Sequence, residues 1–247
     1  MEIAILSDIH GNCSALESVL NDIKVNHKPD AIALLGDLID YGMRSNEVIS
    51  MIKNVHIPLV CNIWGNHEQA IIEEDYHRFS SERGVLSAKN TKKYLSVDSI
   101  AYLSSSMEKS GRSDFEFDGK QFLALHGSLT DPLWKAILPY CGNGLDGGFD
   151  GYDGYDYVLS GHTHYAHAFD FFYKSDNPIL RNKKKVVFIN PGSVGQPRNH
   201  NPQAQYAILD TCKGISLISV PYDFEYEQSL FTDEVDSFYK DRLANGV

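Results

Sequence analysis

The stretch Ile3-Ala4-Ile5-Leu6-Ser7-Asp8-Ile9-His10 sets four consecutive apolar residues and one serine before an Asp-x-His triplet. A continuous apolar run of this length, too short for a stable helix and ended by polar residues, reads as a strand covered on both faces. The pattern recurs. The run 31–35 precedes Gly36-Asp37-Leu38-Ile39-Asp40, and the run 57–63 precedes Gly65-Asn66-His67-Glu68. Helix-period segments lie between these runs: 14–24, with Leu16, Val19, Leu20 and Ile23 on one face, and 45–53. Ser14 and Glu17 fit a capping box at the start of the first helix. Buried strands alternating with helices are the grammar of a parallel β-α-β sheet.

Helical, charged sequence continues over 68–95, and then the grammar changes. Residues 115–117 and 121–125 flank Asp118-Gly119, a pair suited to the mirror-image turns of β-hairpins. Strands are expected at 157–159, 168–172, 186–189, 204–209 and 215–220, mostly antiparallel. The Gly-, Asp- and Tyr-rich segment 141–157 is too polar for the core and reads as an excursion above the sheet. Lys183, Lys184 and Lys185 read as a solvated hairpin end. The expected organisation is one domain over 1–221 with an inserted cap at about 129–156, followed by an acidic helix or coil over 222–247.

The chain of 247 residues carries 22 Lys plus Arg against 33 Asp plus Glu, a formal charge of −11. That balance argues against gripping long nucleic acid by neutralising its phosphates, but not against small phosphorylated ligands. The apolar runs fall far short of the roughly 20 residues that span a bilayer. Met1 and Glu2 lead straight into the first strand without a signal-like core, so a cytoplasmic location is the expectation. Cys13, Cys61, Cys141 and Cys212 are scattered and read as buried or incidental thiols.

Polar clusters at strand ends carry the chemistry, since ligands of open α/β sheets bind there. Besides Asp8-x-His10 and the two clusters that follow it, His126-Gly127 comes after 123–125 and Gly161-His162-Thr163-His164 after 158–160. Residues two apart on an extended chain point the same way, so Asp8 with His10, and His162 with His164, could each bind one ion. Glycines at 11, 36, 65, 127 and 161 would let the backbone turn beside the ions. Imidazoles mixed with carboxylates suit Mn²⁺, Fe, Zn²⁺ or Ni²⁺ better than the all-oxygen preference of Mg²⁺.

In this order the five clusters resemble the motif set of the calcineurin-like metallophosphoesterases. Pro191-Gly192-Ser193-Val194-Gly195-Gln196-Pro197-Arg198 is similar to a segment of that superfamily's small bacterial phosphodiesterase branch. The resemblance implies a four-layer α/β/β/α sandwich of two mixed β-sheets flanked by helices. It also implies two divalent metal ions, Mn favoured. Asp8, His10, Asp37 and His164 would hold the first, and Asp37, Asn66, His126 and His162 the second, with Asp37 bridging. A metal-bridging hydroxide would attack phosphorus in line, His67 would protonate the leaving group as general acid, and Asp40 would orient its ring.

Protein phosphatases and dinucleotide tetraphosphate hydrolases of that superfamily carry arginines where this chain has Tyr41 and, before Gly65, Ile63 and Trp64. Without such bidentate clamps, recognition of a terminal dianionic phosphate is lost, which favours phosphodiesters or nucleotide-type phosphoanhydrides over phosphoproteins. A phosphomonoesterase is the alternative, and a silent interaction module, like the retromer subunit of this fold, a further one. That subunit's family lacks the catalytic His, whereas His67 is present here. Arg44 and Arg198 are substrate candidates with an ordinary surface role as the competing reading. Trp134, Tyr140, Phe149, Tyr152 and Tyr155 offer faces for a nucleobase or else pack the insertion against the sheet. Asp146, Asp150, Asp153 and Asp156 lack the pattern of a calcium loop. The expected partner is a small phosphorylated substrate such as a nucleotide or dinucleotide, with no long nucleic acid and no membrane, and the oligomeric state stays open.

Overall fold

The computed structural model describes residues 1–139 and 148–247. Its strands, in chain order, are β1 (Glu2–Leu6), β2 (Ala31–Leu34), β3 (Leu59–Asn62), β4 (Arg112–Phe117) and β5 (Lys120–Leu125). Then come β6 (Tyr157–Ser160), β7 (Ala166–Lys174), β8 (Lys183–Pro191), β9 (Ala204–Asp210) and β10 (Gly214–Val220). The helices are α1 (Cys13–Asp22), α2 (Ser45–Lys53), α3 (Asn66–Glu73), α4 (Glu82–Tyr94), α5 (Val97–Ser105), α6 (Phe224–Ser229) and α7 (Ser237–Asn245). Two five-stranded sheets form, in the orders β10-β9-β1-β2-β3 and β4-β5-β6-β8-β7. Both are mixed and helices flank them, the expected α/β sandwich.

The period of two along each strand divides its side chains between layers. On β1, Ile3 and Ile5 enter the core between the sheets, where they share a cluster with Phe122, Ala124, Leu159 and Ile189. Ala4 and Leu6 face the other way, into a cluster with Leu16 and Val19 of α1 and Val48 and Ile52 of α2. On β8, Val187 and Ile189 face inward, while Val186 and Phe188 pack with Ile137, Phe149 and Tyr152 on the outer side.

The hairpin at Asp118-Gly119 forms with positive φ at both residues, 52° and 69°, as its mirror-image turn requires. The second half is less uniformly antiparallel than its pattern predicts. β5, β6 and β8 run parallel at the centre of their sheet, with antiparallel β4 and β7 at its edges. The parallel centre brings the C-terminal ends of β5, β6 and β8 to the same edge.

Local boundaries also differ. Asn12, not Ser14, caps α1, accepting the Ala15 N–H at 3.1 Å. The predicted helical run 68–95 divides because Glu74 adopts a left-handed φ of 57° and ends α3. α5 has no counterpart in the sequence reading and is capped by Ser96, which accepts the Ser99 N–H.

The acidic segment 222–247 docks on the domain rather than trailing from it. Glu227, buried, accepts the Ser14 N–H at 2.7 Å and pairs with Arg44, and Gln196 donates to the Tyr239 carbonyl. Tyr140, Cys141 and Asp146 lie outside the described residues. Among the described residues Cys13, Cys61 and Cys212 are free thiols, and no helix is long and apolar enough to cross a membrane.

Candidate metal centre and substrate cavity

The ligand-bearing loops leave the strand ends of both sheets and are tied together by backbone hydrogen bonds. Asp8 N–H donates to Gly36 at 3.0 Å, His10 N–H to Asp37 at 2.9 Å, and Gly161 N–H to His126 at 3.0 Å. The segment 190–196 joins the sheets. Asn190 donates to the Gly161 carbonyl at 2.8 Å, and Ser193 Oγ to the Asp8 carbonyl at 2.7 Å. Gly195 N–H reaches the same Asp8 carbonyl at 3.1 Å, while a β-carbon at Gly195 would lie 1.8 Å from the Ile9 carbonyl oxygen.

The expectation that Asp8 with His10, and His162 with His164, sit on extended chain is not met. Their φ angles are 54°, 49°, 68° and 60°, and Asp37, Asp40 and Tyr41 are left-handed as well, at 52°, 76° and 60°. Non-glycine residues avoid this region unless surrounding contacts impose it, and such strain concentrates at functional sites. Convergence of the side chains therefore comes from tight turns held by the loop hydrogen bonds, not from the strand period.

All seven expected ligands come together. Side-chain donors of Asp8, His10 and His164 lie within 4.8 Å of one another, as do those of Asp37, His126 and His162. A third such set, His10, Asp37 and His67, connects the two. Asn66 Oδ1 stands 3.0 Å from His126 Nε2 and 2.9 Å from His162 Nδ1. Each set could hold a metal ion.

The donor chemistry fits a cation. His10, His126 and His164 each direct Nδ1 at a backbone carbonyl, of Ile39 at 3.2 Å, Leu35 at 2.7 Å and Gln196 at 2.6 Å. These carbonyls assign a proton to Nδ1, leaving the Nε2 lone pairs of His10 and His164 to face the interior, while the Nε2 of His126 lies 3.3 Å from Asp37 Oδ2. The Nε2 atoms of His10 and His164 lie only 3.2 Å apart. Asp8 Oδ1 is buried without a hydrogen-bond partner among the described residues, 3.2 Å from His164 Nε2. Lone pairs converging in a buried space are complementary to a positive ion.

Burial pushes His10 well below its usual range, His162 down to about 3 and His164 down to about 4, so these rings are neutral and ready to ligate. Burial opposes charge on Asp37 and His126 too, but their mutual attraction prevails. Asp37 is held well below the usual carboxylate range, and His126 rises to about 9.

His67 is buried beside this centre, its Nδ1 2.7 Å from Asp40 Oδ2 and its Nε2 4.0 Å from Asp37 Oδ2. Asp40 is fixed in turn by hydroxyls of Ser87 at 2.7 Å and Thr91 at 2.8 Å, both donating to Oδ1. Against the opposing effect of burial, Asp37 and the Asp40 hydrogen bond raise the affinity of His67 for a proton.

Glu68, quoted in the motif without a role, clasps the loops. Its two oxygens accept N–H bonds from Asp37, Leu38, Ile39 and Gly65 at 2.7–3.3 Å. Gly65 allows the close approach, since a β-carbon there would sit 2.1 Å from Asp37 Oδ1.

A cavity of about 290 Å³ opens over the centre, lined by Asp37, Asn66, His67, His162 and His164 together with Tyr41, Arg198, Arg78, Phe79, Ser80 and Trp134. Of the substrate candidates, Arg198 and Trp134 are on its wall. Arg44 is not. It neutralises buried Glu227 and donates to Ser14 Oγ at 2.6 Å. Tyr152 is buried against Phe188, its hydroxyl accepting the Leu129 N–H, and Tyr155 bonds Asp114 and Arg112. Phe149 packs beside Tyr152 in the outer cluster. Arg78 and Phe79 were not anticipated: they lie between α3 and α4, inside the run 68–95 that reads as continuous helix and that carries no motif at these positions.

Comparison with known proteins agrees with this geometry. An uncharacterized protein of Methanocaldococcus jannaschii is 29% identical over 235 residues, 90% of this chain and 88% of the relative. The crystal structure of a metallophosphoesterase from Sphaerobacter thermophilus matches with a TM-score of 0.75 and 28% identity, over 100% of this chain and 99% of that one. A hypothetical protein from Pyrococcus horikoshii shares the fold at a TM-score of 0.80 and 20% identity, over 100% of this chain and 98% of that one. The family model of the calcineurin-like phosphoesterase superfamily domain matches residues 1–214. With its two mixed sheets and its clustered His and Asp side chains, the chain belongs to the calcineurin-like phosphoesterase superfamily.

Proposed function

We propose that this chain is a hydrolase of phosphodiesters or nucleotide-type phosphoanhydrides that works with two divalent transition-metal ions, Mn²⁺ favoured, and with His67 as general acid. The observation that carries the reading is the placement of His67. Its Nδ1 is held on Asp40 at 2.7 Å, and its Nε2 lies 4.0 Å from an Asp37 carboxylate that stands in one donor set with His126 and His162 and in another with His10 and His67 itself. Asp8, His10, Asp37 and His164 would hold one ion and Asp37, Asn66, His126 and His162 the other. Bound ions of this kind acidify a water molecule and neutralise phosphoryl oxygens.

The protein's own groups supply the rest. With Nδ1 on Asp40, His67 presents its Nε2 proton toward the centre, where a departing alkoxide needs it. Asp40 keeps the ring's tautomer and stabilises its protonated form. The cavity of about 290 Å³ suits a small substrate, not a long polymer.

Preference for diesters rests on the missing clamps. Ile63 and Trp64 are buried, and Tyr41 is packed among aromatic rings, so these positions offer no guanidinium to a dianion. Monoester hydrolysis is the second reading, favoured by Arg198 at the cavity wall. A panel of aryl mono- and diesters, cyclic nucleotides and dinucleoside polyphosphates with Mn²⁺ tests both. Turnover of diesters or anhydrides above monoesters is expected, the reverse order establishes a phosphatase, and no turnover of any ester refutes the hydrolase.

A further inference from the structure

The two sides of the cavity differ in chemistry. Beside His164 stands Arg198, whose backbone N–H donates to the His164 carbonyl at 3.2 Å. Its Nε is buried without a hydrogen-bond partner among the described residues. The side next to His67 is aromatic. Phe79 meets the His67 ring edge-on at 5.1 Å, and Trp134 meets Phe79 edge-on at 5.5 Å.

This aromatic wall is ordered in advance. Trp134 Nε1 donates to Gln69 Oε1 at 2.9 Å, and the Arg78 guanidinium lies 5.0 Å over the indole ring. Arg78 is itself paired with Asp131, so the wall presents ring surface with its charge balanced. Both rings touch the hydrophobic core yet stay only partly buried and open to the cavity. Core packing alone would leave no reason for two fixed rings to line a space above the proposed proton donor. A leaving group that departs toward His67 passes along them.

Resting on the hydrolase reading above, we propose that Phe79 and Trp134 form a stacking subsite for a planar ring on the substrate, with Arg198 meeting the anionic oxygens of its phosphate. The substrate class is then a nucleoside phosphodiester or phosphoanhydride, in which one molecule carries both a flat base and a phosphate.

The chain has two tryptophans, and Trp64 is buried with its Nε1 bonded to the Leu103 carbonyl, so Trp134 is the emitter that a ligand in the cavity reaches. The full chain loaded with Mn²⁺ is titrated with adenosine 5′-monophosphate and with ribose 5-phosphate, followed by fluorescence and calorimetry. The nucleotide should perturb Trp134 emission and bind about tenfold more tightly, within the range one stacked base supplies. Trp134→Leu should abolish that advantage while leaving ribose 5-phosphate affinity within about twofold, Trp134→Phe should keep most of it, and Arg198→Gln should weaken both ligands alike.

Equal affinity of the two ligands for the unaltered protein overturns the proposal, as does failure of both to bind. An advantage that survives Trp134→Leu and Phe79→Leu overturns the location. Because binding is read without turnover, a protein that prefers the nucleotide but hydrolyses no ester sinks the hydrolase reading and keeps the subsite. Hydrolysis with no preference for a base sinks only the subsite.

Discussion

Tyr239 of α7 lies flat on Tyr41, ring centroids 4.2 Å apart and planes 17° from parallel. The Tyr41 ring also meets His10 and His67, each at 4.6 Å. Tyr41 occupies the position after Asp40 where arginine stands in related phosphatases, and it fills the space between a metal donor and the proposed acid with aromatic surface. Its backing comes from a helix beyond residues 1–214, the span of the family match. The C-terminal segment thus contributes to the wall of the site.

Tyr239→Leu keeps most of the buried volume and removes the stack, so a stability loss of about 1 kcal/mol is expected. If the stack also positions His67, kcat on alkyl phosphodiesters should fall on the order of tenfold, less than a 1 Å misplacement would cost. Nitrophenyl esters, which leave without a proton, should be spared. A purely structural role would lower the melting temperature and leave the ratio of the two rates unchanged.

On the proposed bridging role, Asp37→Asn should impair binding of both ions: the carboxylate stands with His126 and His162 in one donor set and with His10, a donor proposed for the other ion, in the set that connects the two. The amide can still accept the His67 N–H that Asp37 Oδ1 now receives at 2.9 Å, so the loop should persist. Metal content by elemental analysis should fall well below that of the unaltered protein, and kcat/KM by at least about a hundredfold. Full metal content with unchanged turnover would remove the bridging role.

The strands and donor residues were legible because apolar runs end abruptly at polar clusters, a contrast that survives without any knowledge of packing. Strand-to-strand direction was less so. The parallel pairing of β5 with β6 follows a connection whose sequence has no helical period, and that of β6 with β8 arises because the intervening β7 lies antiparallel on the far side of β8. Backbone strain left no trace either, because Asp8 or His164 in a left-handed turn is imposed by loop contacts across the two sheets. Arg78 and Phe79 were invisible for a related reason: their role comes from proximity to Trp134 and His67, which only tertiary structure creates. Arg44 misled because a loop arginine near Asp40 resembles a phosphate ligand until its buried partner Glu227, far along the chain, is seen.

Glu68→Gln tests the loop clasp. Glu68 Oε2 accepts N–H bonds from both Asp37 and Gly65, and Oε1 accepts from Leu38 and Ile39. An amide would have to turn an NH₂ group against two of those donors. Losing buried, charge-assisted bonds in this way should cost about 2–4 kcal/mol, read as a lower denaturation midpoint in urea. A neutral effect would show that the loops hold without the clasp.

Arg44→Met should act on stability and not on substrate. The change strands Glu227, which is 1% exposed, and breaking a buried pair from one side costs about 3–5 kcal/mol. Double replacement with Glu227→Gln should recover part of that loss, while KM for a diester stays within about twofold, the scatter expected of a residue off the cavity wall. A KM raised tenfold or more in a folded variant would return Arg44 to the substrate site.

His67→Ala separates proton donation from metal chemistry. The ring is held on Asp40 at 2.7 Å, and although it shares a donor set with His10 and Asp37, those two also stand in sets without it, His10 with Asp8 and His164 and Asp37 with His126 and His162, so metal content should change little. General acid catalysis contributes about 10²–10⁴-fold where the leaving oxygen is basic, and little where it departs as a stabilised phenolate. Alkyl and nucleoside diesters should therefore lose roughly a hundredfold or more, and nitrophenyl diesters about tenfold or less. A plot of log kcat against leaving-group pKa should steepen in the variant. Parallel lines for variant and unaltered enzyme would assign His67 to binding or structure, and leave the proton for the leaving group to come from water.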